Sequence, residues 1–147
     1  MAIKEKLLED MKTAMKEKDS VRKDAVIMVR SAILQTEKDN KITLDDQAII
    51  EVIAKEVKKR KDSLPEYEKS NREDLISKLK TEIDILMKYL PEQMSEQEVE
   101  ETVKQVITET GASSIKDMGK VMSAVQAKVK SRADGKLINQ IVKKYLQ

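Results

Sequence analysis

The chain contains no cysteine and no histidine. Without thiols there is no disulfide, no thiolate zinc site and no cysteine nucleophile. Without imidazole there is no Ser-His-Asp triad, no histidine general base and no His-ligated metal. Phe and Trp are absent too, so three Tyr supply all the aromatic surface. Three Gly and two Pro are few for the many turns of a strand protein. Apolar runs are short, as at Ala25–Val29, and none is long enough to span a membrane. The opening Met-Ala-Ile-Lys-Glu-Lys has no secretory h-region, so the expectation is a cytoplasmic protein.

What is present points to helices. The 147 residues make one domain, or a domain plus a small module. Charged residues reach 38%, against roughly 25% in an average globular protein. Apolar residues recur at spacings of three and four along almost the whole chain, which predicts an all-α fold. Ile3, Leu7, Leu8, Met11, Ala14 and Met15 form the first stripe. Val21, Ala25, Val26, Val29, Ala32 and Ile33 form the second, with Ser20 as its N-cap. After a polar break at Lys38–Ile42, Thr43 reads as the next N-cap, with Asp45 and Asp46 in the first turn. Leu44, Ala48, Ile49, Val52, Ile53 and Val57 then face inward. Pro65 should bend or restart this helix, which is expected to end near Ser70. A fourth helix from about Arg72 to Tyr89 carries Leu75, Leu79, Ile83, Leu86 and Leu90, and can pair with the third as an antiparallel hairpin.

Pro91 stops that helix, and Ser95 with Glu98 forms a capping box that starts another. The expected organisation is therefore an N-terminal helical bundle or hairpin region at 1–90 and a small three-helix module at 94–147. The module's first helix buries Val99, Val103, Val106 and Ile107, with Gly111 as its αL C-cap. Ser114 and Asp117 cap the second, which buries Met118, Val121, Met122, Val125 and Val129. Asp134 caps the third, which buries Leu137, Ile138, Ile141, Val142 and Leu146.

The net charge of +2 conceals an asymmetry. Residues 1–90 hold 20 basic and 19 acidic groups, residues 91–117 hold 2 and 7, and residues 118–147 hold 7 and 1. The last segment is the kind of cationic patch that nucleic-acid phosphates require. The alternative is that its lysines solvate the outer faces of two short helices and complement their C-termini.

Other motifs reduce to structure. Lys58-Lys59-Arg60-Lys61 wraps most of a helical turn and forms no single stripe. Gly111-Ala112-Ser113-Ser114-Ile115-Lys116 resembles a Ser-Ser-Lys nucleophile site but lacks the glycines that would present oxyanion donors. A C-cap followed by an N-cap accounts for it. Gly119 lies inside a helix, at up to ~1 kcal/mol relative to Ala, which points to close packing or to a partner's backbone. Gly135-Lys136 opens another helix, where free N–H groups suit an anion and Asp134 competes for them. The Walker spacing is absent, and no carboxylates form a recognisable catalytic pair. No catalytic residue, metal ligand or cofactor site is expected.

Several segments carry a family resemblance. These are Lys61-Asp62-Ser63, Tyr89-Leu90-Pro91-Glu92-Gln93-Met94-Ser95, Gly111-Ala112-Ser113-Ser114, Lys116-Asp117-Met118-Gly119-Lys120-Val121-Met122 and Ala133-Asp134-Gly135-Lys136-Leu137. With them the whole chain resembles the YqeY-like family, also called the GatB/YqeY domain proteins. The last three segments are similar to the C-terminal tail domain of GatB, a component of the aspartyl/glutamyl-tRNA amidotransferase. The resemblance implies an all-helical protein with that tail at its C-terminus. In the amidotransferase the tail helps to hold tRNA, while the chemistry lies in a separate domain and in another polypeptide of the enzyme.

The leading expectation is a non-catalytic module that binds tRNA or another structured RNA. Lys120, Lys128, Lys130, Arg132, Lys136 and Lys143 would meet phosphates, with Gly119 and Gly135 admitting a backbone. A second expectation is a protein-interaction adaptor for an amidotransferase or synthetase, docking on the small residues Ala124, Ala127 and Ser131. The third is a component of a glutamine-dependent carbon–nitrogen ligase.

Overall fold

The computed structural model describes residues 2–147. Among these, seven α-helices and two short 3₁₀ turns follow one another, with no strand. The helices are α1 (Ile3–Lys16), α2 (Ser20–Asn40), α3 (Asp46–Lys69), α4 (Glu73–Met87), α5 (Glu96–Thr110), α6 (Met118–Val129) and α7 (Gly135–Leu146). The all-α expectation holds. Contacts divide the chain into two compact units, one ending at Leu90 and the other running Pro91–Gln147. No helix among the described residues is long and apolar enough to cross a membrane.

In the first unit α2 touches α1, α3 and α4. Its core unites Leu7 of α1, Ala25, Val26, Val29 and Ile33 of α2, Ile49, Ile53 and Val57 of α3, and Ile83 and Leu86 of α4. Burying each large aliphatic side chain contributes roughly 1.5–3 kcal/mol, which outweighs the modest propensity of any one helix. Two clusters of buried charge help to tie the bundle together. Arg60 of α3 donates to Glu82 of α4 at 2.8 Å and to Glu56 at 3.0 Å, all three being largely sequestered from solvent. The basic run at 58–61 is thereby split, since Arg60 points inward while its three lysines stay exposed. Asp10 of α1 receives Lys6 at 3.0 Å, Arg22 of α2 at 3.4 Å and the Tyr89 hydroxyl. Burial would raise the Asp10 carboxyl, but these three donors together hold it below the usual aspartate range. Burial and the neighbouring carboxylate push the Tyr89 hydroxyl well above its ordinary value.

Two caps differ from expectation. Asp19, not Ser20, caps α2 by accepting from the Arg22 N–H at 3.2 Å. Asp45, not Thr43, caps α3 by accepting from the Ala48 N–H at 2.9 Å. The start of α3 is delayed because the Leu44 N–H donates to Glu37 of α2 at 2.9 Å, which leaves Thr43 and Leu44 outside the helix. Pro65 does not restart α3. It lies exposed one turn from the end, where its missing N–H forfeits a single bond, and the helix continues to Lys69.

The second unit packs α5, α6 and α7 pairwise. Its core is Val99, Val103 and Val106 of α5, Val121, Val125 and Val129 of α6, and Ile138, Ile141, Val142 and Leu146 of α7. Ser95 and Glu98 close the capping box at 3.1 and 3.2 Å, and Gly111 ends α5 at φ +67°.

Candidate nucleic-acid interface

Helix starts and stops within the second unit decide where its cations go. Asp117 accepts from the Ser113 N–H at 3.0 Å and the Ser114 N–H at 3.4 Å, which closes a 3₁₀ turn at Ile115–Asp117 before α6 begins. The two serines are thus tied into a cap. The same two amides hold the Asp117 carboxyl below its ordinary range. After α6 a second 3₁₀ turn, Lys130–Arg132, reverses the chain. The segment before α5 straps onto that turn: the Met94 N–H donates to the Arg132 carbonyl at 2.7 Å, and Gln93 Nε2 to the Ser131 carbonyl at 3.1 Å.

The expected contact residues fall into three groups. Lys120 and Lys128 both reach the last turn of α5. Lys120 Nζ donates to the Thr110 carbonyl at 3.4 Å, and Lys128 pairs with Glu109 at 3.0 Å. These two cations complement the negative end of α5. Lys130 and Arg132 lie on the reversal. Lys130 is exposed and held at φ +51°, ψ −128°, a backbone region that side chains rarely adopt. Arg132 Nε donates to the Glu92 carbonyl at 3.0 Å. Lys136 and Lys143 stand exposed on α7, and seven residues of helix bring them to within about 20° of one face. Neither has an ion-pair partner among the described residues. The amide of Lys136 is already taken, since Asp134 accepts from it at 3.0 Å, so the Gly135-Lys136 step does not offer that N–H to an anion.

The two glycines are not explained by packing within the chain. Among the described residues, a Cβ at Gly119 would meet nothing within 4 Å, and one at Gly135 would touch only Gln126 Nε2 at 4.0 Å.

One cluster was not foreseen from sequence. Lys104 of α5 and Lys144 of α7 place their ammonium groups 5.5 and 5.8 Å from the centre of the Tyr145 ring. The Tyr145 hydroxyl donates to Glu100, which also faces Lys144 at 3.8 Å. That hydroxyl is the main reason why the Glu100 carboxyl sits below its ordinary value. Two cations beside the unit's one aromatic ring form a surface suited to a base and its phosphate. The available signal was Glu100 and Lys104 at four-residue spacing on one helix; pairing them with Tyr145 requires the tertiary fold.

Similarity to known proteins now bears on this arrangement. The model of the Yqey-like protein family matches residues 4–146. The chain belongs to that family. Among Yqey-like relatives, "Altered inheritance of mitochondria protein 41, mitochondrial" of Kluyveromyces lactis is 41% identical over 107 residues, covering 70% of this chain and 57% of the relative. The protein of that name from Pyrenophora tritici-repentis is 30% identical over 143 residues, covering 93% of this chain and 79% of the relative. That from Saccharomyces cerevisiae strain YJM789 is 32% identical over 105 residues, covering 67% and 55%. The chain thus spans little more than half the length of two of these three relatives. Their names also correct the cytoplasmic expectation, because all three are named as mitochondrial proteins. The absence of an h-region among the opening residues does not separate the cytoplasm from an organelle.

Proposed function

We propose that this Yqey-like protein is a non-catalytic accessory module whose second unit binds structured RNA, with tRNA as the first candidate. The observation that carries the reading is the exposed pair Lys136 and Lys143 on one face of α7, without acidic partners among the described residues, in a segment of seven basic residues and one acidic. Lys130 adds a third exposed cation. Lys128 is neutralised by Glu109, and Lys120 and Arg132 each spend one donor on a backbone carbonyl while keeping others free, so Lys128 contributes least. Tyr145, flanked by Lys104 and Lys144, supplies the one stacking surface. With so little aromatic area, recognition rests on shape and phosphate geometry rather than on base identity.

The test is fluorescence anisotropy of a labelled tRNA transcript over a salt series. Neutralising about four phosphates gives a slope of log K against log salt near −3 to −4. Lys136→Glu combined with Lys143→Glu should reduce that slope by about 2. Salt-insensitive binding, or a slope that the double variant leaves unchanged, contradicts the reading.

A second reading is a protein-interaction adaptor, favoured by the pairing of Lys128 with Glu109 and by exposed Ala127 on the same flank. It expects a complex with an amidotransferase or synthetase that survives nuclease. For ligase chemistry the residues offer no support, and purified protein given glutamine and mischarged tRNA should yield no amidated product.

A further inference from the structure

A groove of about 600 Å³ opens in the first unit between α1, α2 and the start of α3. That volume lies within the ~300–1,000 Å³ range of small-ligand sites. Its floor is the buried core residues Leu7, Ile33 and Ile49, and Leu8, Leu34 and Leu44 rise around it. Leu34 is 56% exposed, so the groove presents aliphatic surface to water.

Its charges are sorted by position. Arg30 lies opposite Met11, and Lys4 pairs with Glu37 at 2.6 Å, so α1 and α2 run antiparallel. Seven residues of α2, about 10 Å of helix, separate Arg30 from Glu37. The lining carboxylates are Glu5, one residue from Lys4 and so about a helix turn and a half from the level of Met11 and Arg30, and Asp45 and Asp46 at the far end. There Asp46 accepts from the Ile3 N–H at 3.2 Å and Asp45 caps α3. Lys4 is neutralised by Glu37, whereas among the described residues Arg30 donates only to the Met11 sulfur, at 3.1 Å. Thioether sulfur is a weak acceptor, and a guanidinium has five N–H donors in a fork that fits a carboxylate. The groove therefore combines an aliphatic floor with one half-buried cation that has no anionic partner among the described residues.

We propose that this groove binds a medium-chain aliphatic carboxylate, its head on Arg30 and its chain along Leu7, Leu8, Ile33 and Leu34. The proposal is independent of RNA binding by the second unit. The test is methyl-detected NMR of the full chain, titrated with decanoate, decanol and decylamine below their aggregation thresholds. Decanoate is expected to shift the methyls of Leu8, Ile33, Leu34 and Leu44, and to bind at least ~10-fold more tightly than decanol. Arg30→Gln should bring decanoate down to the level of decanol. Leu34→Glu, at an exposed position that the fold tolerates, should abolish binding. Any of four results overturns the proposal: no shifts at these methyls, equal affinity for decanol, tightest binding of decylamine, or shifts centred on the exposed Ile27 and Met28. If Arg30→Gln fails to fold, unchanged decanoate binding by Leu34→Glu overturns it as well.

Discussion

The unit ending at Leu90 buries three charged side chains, Asp10, Arg60 and Glu82, whereas the residues buried in Pro91–Gln147 are all apolar. Helix length does not account for the difference, because Arg60 lies on the 24-residue α3 but Asp10 and Glu82 lie on α1 and α4, of 14 and 15 residues, against 15 in α5. What the three charges share is a partner on another helix, which offsets the cost of taking each out of water. Seven of the ten core residues in the second unit are Val, whose branched side chain has one preferred helical rotamer and loses little freedom on burial. The lesson is a difference in construction: one unit buries paired charges as part of its framework, and the other closes around apolar side chains alone and keeps its charges at the surface.

The largest expected effect breaks the first half of this contrast. Arg60→Ala strands Glu82 in the interior and should cost about 3–5 kcal/mol. Urea unfolding measures the loss, and amide exchange in α3 and α4 locates it. Arg60→Met with Glu82→Leu should recover most of the stability, because an apolar pair of similar volume removes the uncompensated charge. If the single variant is as stable as the parent, the ion pair is ornamental and the contrast fails.

The second half is tested by Val125→Ala, which leaves a cavity in the valine core and should cost about 2 kcal/mol. Faster exchange in α6 and α7 is the signature.

Much of this fold could be read in advance, and the reason is local. Three- and four-residue spacing identified the helices, and the Ser95–Glu98 box and Gly111 marked the limits of α5 through contacts within a turn. What escaped notice depends on distant partners. Arg60 sits in a basic run that looks solvated until Glu82, 22 residues on, packs against it. Asp10 looks like any surface acid until Tyr89 arrives, 79 residues away. Thr43 lost its capping role to Asp45 because Glu37 captured the Leu44 amide. At the candidate interface the cationic character was legible as composition. The use of Lys120 and Lys128 on the end of α5 was not, nor was the gathering of Lys104 and Lys144 on Tyr145.

A smaller effect, in pH, follows from Asp10. Its folded carboxyl lies below the ordinary value, so it stabilises the fold above the usual aspartate range near ~4, and that stability is lost as pH falls through the lowered value. Tyr89→Phe removes one of the donors that lower it. Acid unfolding followed in α1 and α4 should then begin at higher pH. Asp117, Glu98 and Glu100 in the second unit have the same sign and are held chiefly by backbone amides and by Tyr145. Their part of the acid transition should not move in Tyr89→Phe.

Lys130 offers a gain rather than a loss. Its backbone at φ +51°, ψ −128° is strained for any side chain, and Lys130→Gly relieves that strain at some cost in unfolded-chain entropy. The expected net gain is about 1 kcal/mol, seen as a higher melting temperature. If Lys130 also meets a phosphate, the salt slope for RNA falls by about 1 in the same protein. Stability rising while the slope falls would separate the residue's binding role from its structural cost.

The smallest effect is the most discriminating. Gly119 lies in the first turn of α6, exposed, with nothing within 4 Å of where a Cβ would stand. Helix propensity alone says that Gly119→Ala should stabilise the second unit, by about 0.5 kcal/mol so near the helix end. Among the described residues nothing opposes that change, so packing within the chain gives no reason for a glycine here. A slightly higher melting temperature with weaker RNA binding would put a ligand's backbone against α6 at this point. A slightly higher melting temperature with unchanged binding would move the interface to α7, onto Lys136 and Lys143, and leave Gly119 without a role in recognition.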